Sequence, residues 1–232
     1  MSNFILDNIS YRYKGSKDYV LKNIHAKFDS GKLYTIIGQS GAGKSTLLSL
    51  ISGLDICSEG AIIHNGYNLN EIDRDEYRAK RIGVIFQGYN LLLNLTAVEN
   101  IVLSMNISET AIVSKREKLN FAYDLLQRVG IDKETADRKV LKLSGGEQQR
   151  VGIARALSHD TNVIIADEPT GNLDTETENE VLKILISLAH NTGKCVIIVT
   201  HSENVTAIAD EVIEIRNGQL LSENEYYSYQ DV

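Results

Sequence analysis

Apolar and polar residues alternate across residues 4–28, most clearly at Val20, Ile24, Ala26 and Phe28, and this period of two predicts antiparallel strands. Leu33–Ile37 is a short apolar run leading into a glycine-rich stretch, the pattern of a buried strand. Over residues 44–52 Leu47, Leu48 and Ile51 recur at helical spacing, so a helix should begin inside that stretch and stop at Gly53. Residues 82–86 read as another buried strand, after which the character changes. From 88 to 141 the pattern is helical, with Leu119, Ala122, Leu125, Leu126 and Val129 forming one face. Strand character returns at 163–166. A helix with Val181, Leu182, Ile184, Leu185 and Leu188 follows, then the strand Cys195–Val199, and Asn217-Gly218 predicts a hairpin turn before Gln219–Leu221. The expected organisation is one α/β domain over 1–232, with a core and antiparallel β subdomain in 1–87 and 161–232 and an inserted helical lobe in 88–160.

Composition narrows this picture in a few places. The 232 residues suffice for one domain with a sizeable core, and the 43% hydrophobic content fits a globular chain. No apolar run approaches the roughly 20 residues that span a bilayer. The opening MSNFILDNISYRYKG lacks a basic segment followed by an apolar stretch and a small-residue cleavage site, which predicts a cytoplasmic location. A net charge of −7 argues against a broad nucleic-acid-binding face. Cys57 and Cys195 are expected to be reduced thiols, Cys195 in the core, and His25, His64, His159 and His190 to be surface or partly buried residues. The tail ENEYYSYQDV suggests no function.

Three stretches carry chemistry. Residues 38–46, GQSGAGKST, fit the G-x-x-x-x-G-K-[ST] pattern of a phosphate-binding loop (Gly38, Gln39, Ser40, Gly41, Ala42, Gly43, Lys44, Ser45, Thr46). Its glycines permit close backbone approach, its amides at a helix N-terminus attract anions, Lys44 supplies a cation and the Ser45 hydroxyl suits Mg²⁺. Residues 163–169, VIIADEP, end a buried strand in Asp167 and Glu168; alone, such a pair is equally a solvated strand end. Residues 143–150, LSGGEQQR, place Ser144, Gly145, Gly146 and Glu147 at the start of a helix whose N-terminus should also attract an anion.

In this order, the three motifs resemble those of the ATP-binding-cassette (ABC) ATPases, and the resemblance covers essentially the whole chain. It implies a P-loop NTPase (RecA-like) core with an antiparallel β subdomain and an inserted α-helical subdomain, acting on ATP with Mg²⁺. It further implies that Asp167 holds Mg²⁺ through water, that Glu168 is the general base, and that His201, in VTHS, contacts the γ-phosphate. Gln87 would meet Mg²⁺ or the attacking water, and Tyr13 would stack on adenine, with packing against Tyr11 on the same strand face as the alternative reading. The LSGGEQQR helix would face the nucleotide of a second copy. Two chains would then form an ATP-dependent head-to-tail homodimer, Lys44 from one and Ser144 from the other completing each site, with Asp174 lying across the interface.

Residues 86–101, FQGYNLLLNLTAVENI, and 166–174, ADEPTGNLD, are similar to a bacterial subgroup serving macrolide export and lipoprotein release, with relatives in antimicrobial-peptide handling and cell division. That likeness implies a separate integral-membrane permease docked near residues 87–95 and a chain peripheral to the inner face of the membrane; Leu91, Leu92 and Leu93 are then exposed for the permease, with internal packing of the helical lobe as the alternative reading. The alternative is a cell-division ATPase acting through a membrane partner. Asn94 and Val140 stand where many members have proline, which leaves the rigidity of that loop open.

Overall fold

The computed structural model describes residues 3–112, 114–159 and 161–221; the C-terminal ENEYYSYQDV lies outside them. The chain opens with β1 (Asn3–Tyr11), β2 (Leu21–Asp29) and β3 (Leu33–Ile37), then α1 (Lys44–Ile51), β4 (Glu59–His64), β5 (Tyr67–Asn68), α2 (Arg74–Lys80) and β6 (Ile82–Ile85). A run of helices follows: α3 (Ala97–Ile107), α4 (Lys115–Arg128), α5 (Lys133–Ala136) and α6 (Gly145–Ala156). The remainder is β7 (Val163–Asp167), α7 (Thr175–His190), β8 (Cys195–Val199), α8 (Glu203–Ala207), β9 (Glu211–Arg216) and β10 (Gln219–Leu221).

Two sheets organise these elements. The order β2-β1-β4-β5 makes an antiparallel sheet, and β10-β9-β3-β8-β7-β6 a second sheet that is parallel except for the β9–β10 hairpin turning at Asn217-Gly218. Both faces of the second sheet are covered, so its central strands are apolar but for the buried Thr35 of β3 and Asp167 at the end of β7. Cys195, Ile197 and Val199 of β8 join Val163 and Ile165 of β7 against α1 and the antiparallel sheet. Val196, Ile198, Ile164 and Ala166 point the other way, into a core shared with α3, α4, α6 and α7. Cys57 and Cys195 are both free and buried, and burial, followed by the charge of Asp29, pushes the Cys195 thiol up to about 12.

The structure corrects the sequence pattern in several places. Helix begins only at Ala97, because residues 88–96 are held as a loop by Asn100, whose side chain accepts from Leu92 N at 2.8 Å and donates to Leu92 O and Thr96 O at 3.2 and 2.9 Å. Leu119 lies on the exposed side of α4, away from Ala122, Leu125 and Leu126. Leu91 is buried in the helical core, whereas Leu92 and Leu93 are exposed. At the second position where proline was expected, Val140 donates its N–H to Leu95 O at 2.9 Å, a bond that proline cannot make.

His64 is another correction, for it is buried to 4% exposure where a surface or partly buried position was expected. Its ring meets Phe4 and Tyr77 edge-on at 5.5 and 5.7 Å, and Nε2 has no hydrogen-bond partner. Burial, reinforced by Arg81, pushes this histidine down from 6.5 to about 4. Below pH 6.5 the unfolded chain takes up a proton that the folded chain refuses. Stability is therefore expected to fall between pH 6.5 and 4 by up to about 3 kcal/mol from this group. Denaturant titrations across that range should show a flatter pH dependence for His64→Phe than for the unaltered chain; parallel curves would refute the assignment.

Candidate functional site

The loop between β3 and α1 sets the geometry of the site. Gly43 takes φ 111°, a left-handed conformation, and a Cβ there would lie 2.8 Å from Leu21 Cδ2, so only glycine fits. Gly43 is also the N-cap of α1 and provides no side-chain hydrogen bond to the helix. In α2 to α8 an Asp, Ser or Thr side chain satisfies the corresponding amides. The free N–H groups of α1 thus suit an anion. Lys44 is buried beside them, donating from Nζ to Gly38 O and Gln39 O at 2.7 and 3.0 Å. Burial lowers the pKa of Lys44, while Glu168 and Asp167 oppose that fall.

A cleft of about 940 Å³ brings Tyr13, Ser40, Gly41, Gly43, Lys44, Ser45 and Thr46 together with Gln87, Asp167, Glu168 and His201. Gly38 lies beneath the loop, and Gln39 and Ala42 line an adjoining hollow beside Glu214. A second cleft of about 950 Å³, between α4 and α7, is mostly apolar and has no carboxylate among its described lining residues. Chemistry, rather than volume, distinguishes the two.

Asp167 ends β7, and Glu168 leaves the sheet with φ 44°, a left-handed conformation that costs a non-glycine residue roughly 1–3 kcal/mol. Its N–H donates to Val199 O at 2.8 Å, while its carboxylate accepts from Thr200 Oγ1 at 3.0 Å and from His201 N at 3.3 Å. His201 Nε2 lies 3.4 Å from Glu168 Oε1. Burial raises the pKa of Asp167, the charge of Glu168 adds to the rise, and Lys44 counters it. Thr200 is a partner that sequence reasoning missed, since a threonine after a strand carries no signal. Gln87 sits beside the turn after Glu168: a Cβ on Gly171 would lie 3.2 Å from Gln87 Nε2.

Tyr13 lies beyond the end of β1, not on the strand face of Tyr11. Tyr11 is buried with its hydroxyl donating to Asp55 at 2.9 Å, whereas Tyr13 is exposed, with its hydroxyl 2.9 Å from Thr46 Oγ1. The two rings meet edge-on at 5.1 Å.

Ser144, Gly145, Gly146, Glu147 and Asp174 do not line the cleft. Ser144 and Glu147 form a reciprocal cap on α6: Glu147 N donates to Ser144 Oγ at 3.3 Å and Ser144 N to Glu147 Oε2 at 2.7 Å. Gly146 packs on α7 so closely that a Cβ would lie 2.1 Å from Thr177 Cγ2. Asp174 caps α7 and accepts from Thr177 N and Oγ1 at 3.0 and 2.8 Å. Arg155, near the end of α6, donates to Asn90 O and, at 3.0 Å, to Tyr89 O, steadying two consecutive left-handed residues with φ of 51° and 58°. Sequence reasoning missed this link too, because its acceptors are backbone carbonyls 65 and 66 positions away.

The donors fit a magnesium ion. Ser45 offers a hydroxyl, Gln87 an amide oxygen and Asp167 a carboxylate whose buried charge a cation would relieve. Among the described residues no three His, Cys, Asp or Glu side chains form a metal cage. A hard cation that keeps several waters and shares its shell with phosphates needs no such cage.

Comparison with known proteins agrees with this geometry. Residues 21–171 match the family described as ABC transporter. An uncharacterized ABC transporter ATP-binding protein of Bacillus subtilis, YclH, is 42% identical over 94% of this chain and 95% of its own length. The macrolide export ATP-binding/permease protein MacB of Mannheimia succiniciproducens is also 42% identical, over 95% of this chain but only 34% of its own length. Among solved structures, the ATP-binding cassette MJ0796, a Methanocaldococcus jannaschii protein, superposes with a TM-score of 0.85 at 34% identity, covering 94% of this chain and 98% of that one. That structure is a dimer in a post-hydrolysis state bound to ADP and Pi. A loop at an uncapped helix N-terminus, an acidic strand end and a separate Ser-Gly-Gly helix together place this chain in the ABC transporter ATP-binding family, with its P-loop α/β fold.

Proposed function

We propose that this chain is the ATP-hydrolysing subunit of a transporter whose permease is a separate membrane protein, serving export or extraction of a peptide, drug or lipoprotein. The observation that carries the reading is the convergence of the uncapped α1 N-terminus, Lys44, Asp167, Glu168 and His201 on one cleft. The likeness to MacB supports the transport role, and the similarity of residues 86–101 to the exporter subgroup supports a docking surface there. No helix among the described residues is long and apolar enough to cross a membrane, consistent with a subunit bound peripherally to the inner face.

The residues divide the work. The α1 amides and Lys44 bind the triphosphate of ATP, and phosphate oxygens are stronger partners for Nζ than the loop carbonyls it now meets. Ser45, Gln87 and Asp167 would hold magnesium, which would supply neutralisation of phosphate charge. Glu168 Oε1 accepts the proton of the attacking water, and His201 Nε2, 3.4 Å away, orients that region toward the γ-phosphate. Tyr13 covers the base side of the loop. Ser144, Gly145, Gly146 and Glu147 lie outside their own chain's cleft, so they complete the site of a second copy in a head-to-tail dimer, with Asp174 at the interface. The dimeric state of the relative MJ0796 supports the pairing of two copies. Within this scheme the helical lobe spans 88–160 and Gln87 is its hinge to the core.

Sedimentation should find Glu168→Gln dimeric with ATP and Mg²⁺ and monomeric or weakly associated without them; a monomer at saturating ATP would refute the composite site. Lys44→Ala should weaken ATP binding by about 10- to 100-fold, as expected for loss of a charged hydrogen-bonding group. Glu168→Gln should instead bind ATP normally and lose at least about 100-fold in turnover. Equal loss of binding in both would remove Glu168 from its role as base. Leu92 and Leu93, 52% and 48% exposed, are expected to dock the permease, with Leu141 beside them through its N–H bond to Leu93 O. Leu92→Asp with Leu93→Asp should abolish both permease pull-down and permease-stimulated ATPase while sparing ATP binding; retention of both would place docking elsewhere.

A further inference from the structure

One carboxylate outside the cleft gathers donors from two segments that shape it. Glu178, one turn into α7, accepts from Thr170 Oγ1 and Ser202 Oγ at Oε1, both at 3.0 Å, and from Asn204 Nδ2 at Oε2, at 2.9 Å. Thr170 belongs to the turn that follows Glu168, and its backbone carbonyl receives Leu173 N at 3.1 Å. Ser202 follows His201 and caps α8, while Asn204 lies in the first turn of that helix. Partial burial works against ionisation of Glu178, yet the bonds from Asn204, Ser202 and Thr170 prevail and hold its carboxyl below the ordinary range. Its chain neighbour Thr177 is the residue that Gly146 packs on and Asp174 binds.

We propose that Glu178 is a positioning residue that locks the Thr170 turn and the His201 segment to α7, joining the hydrolytic end of the chain to its Ser144–Gly146 end. The inference rests on the ATPase reading given above. Glu168 and His201 approach each other from separate strands, β7 and β8, and beyond the strands few groups fix their distance. Thr200 and the His201 N–H act on the Glu168 carboxylate directly. Glu178 acts behind them, giving the two outgoing segments one common acceptor. Because Thr177 abuts Gly146, a shift of α7 when Gly146 meets a phosphate would reach His201 through Glu178. In a head-to-tail dimer these two ends serve different ATP molecules, so Glu178 links occupancy of one site to turnover at the other. Lys44 and Ser45 stand on α1 and make no hydrogen bond to this network, whose one member on the cleft wall is Ser202, so a loss of position shows in kcat before it shows in nucleotide binding.

The test is steady-state ATPase activity of the full chain over a complete ATP titration. Glu178→Ala should lower kcat about tenfold or more, the scale of a misplaced catalytic group, with KM changed less than about twofold. Glu178→Gln keeps the Oε1 acceptor for both hydroxyls and should recover to within about threefold of the unaltered chain. The pair Ser202→Ala with Asn204→Ala removes donors without touching Glu178, should reproduce the loss, and should make added Glu178→Ala nearly silent. It also stands in if Glu178→Ala does not fold. Unchanged kcat in Glu178→Ala, or in the Ser202/Asn204 pair, would overturn the inference. So would a fall in kcat matched by a rise in KM and not rescued by glutamine. An unaltered chain that hydrolyses no ATP would overturn the ATPase reading itself, and this inference with it.

Discussion

Asp167, Glu168 and Lys44 share the floor of one cleft, and two carboxylates against one ammonium is a charge arrangement that water would ordinarily dissolve. Burial makes it costly: it raises the pKa of Asp167 and lowers that of Lys44, each partly offset by the other. The arrangement persists because the groups ride on strands sealed on both faces. β3, β8 and β7 are neighbours in the sheet and buried in apolar side chains up to Asp167, with Thr35 the polar exception, so their C-terminal ends are fixed with respect to one another. On the reading proposed above, a polyanion with its cation would change the balance of such a floor more than any neutral ligand could.

The parts of the fold that were legible in the sequence are those where periodicity met burial. β3, α1, β7, β8 and the β9–β10 hairpin each bury a regular apolar pattern, and their expected positions agree with the structure to within a residue or two. The segment between α1 and β6 was not legible, because β5 has two residues and α2 buries only Tyr77, too little to set a period. Residues 88–96 misled for a different reason. Their leucines look helical, but Asn100 supplies the hydrogen bonds that a helix would have provided, and a side chain eight positions away leaves no local pattern.

The site was legible where function depends on backbone shape. Glycines at the phosphate loop and in the Ser-Gly-Gly turn mark close approaches that the structure contains, at Gly43 and Gly146. The supporting residues were not: Thr200, Arg155 and Glu178 each act through hydrogen bonds to other segments of the chain, 32, 65 and 66, and 8 to 26 positions away. Their chemical types are common at helix and strand ends, so nothing short of the folded arrangement distinguishes them from solvated neighbours.

The left-handed backbone at Glu168 sets selection against local preference. A glycine would adopt φ 44° without strain, and asparagine with less than glutamate, so both would ease the turn while deleting the carboxylate that meets Thr200 and His201. Stability and chemistry pull in opposite directions at this one position. On the reading proposed above, in which Glu168 is the base, a chain released from that role would gain a more relaxed turn from glycine at this position in the same step that removed its hydrolysis.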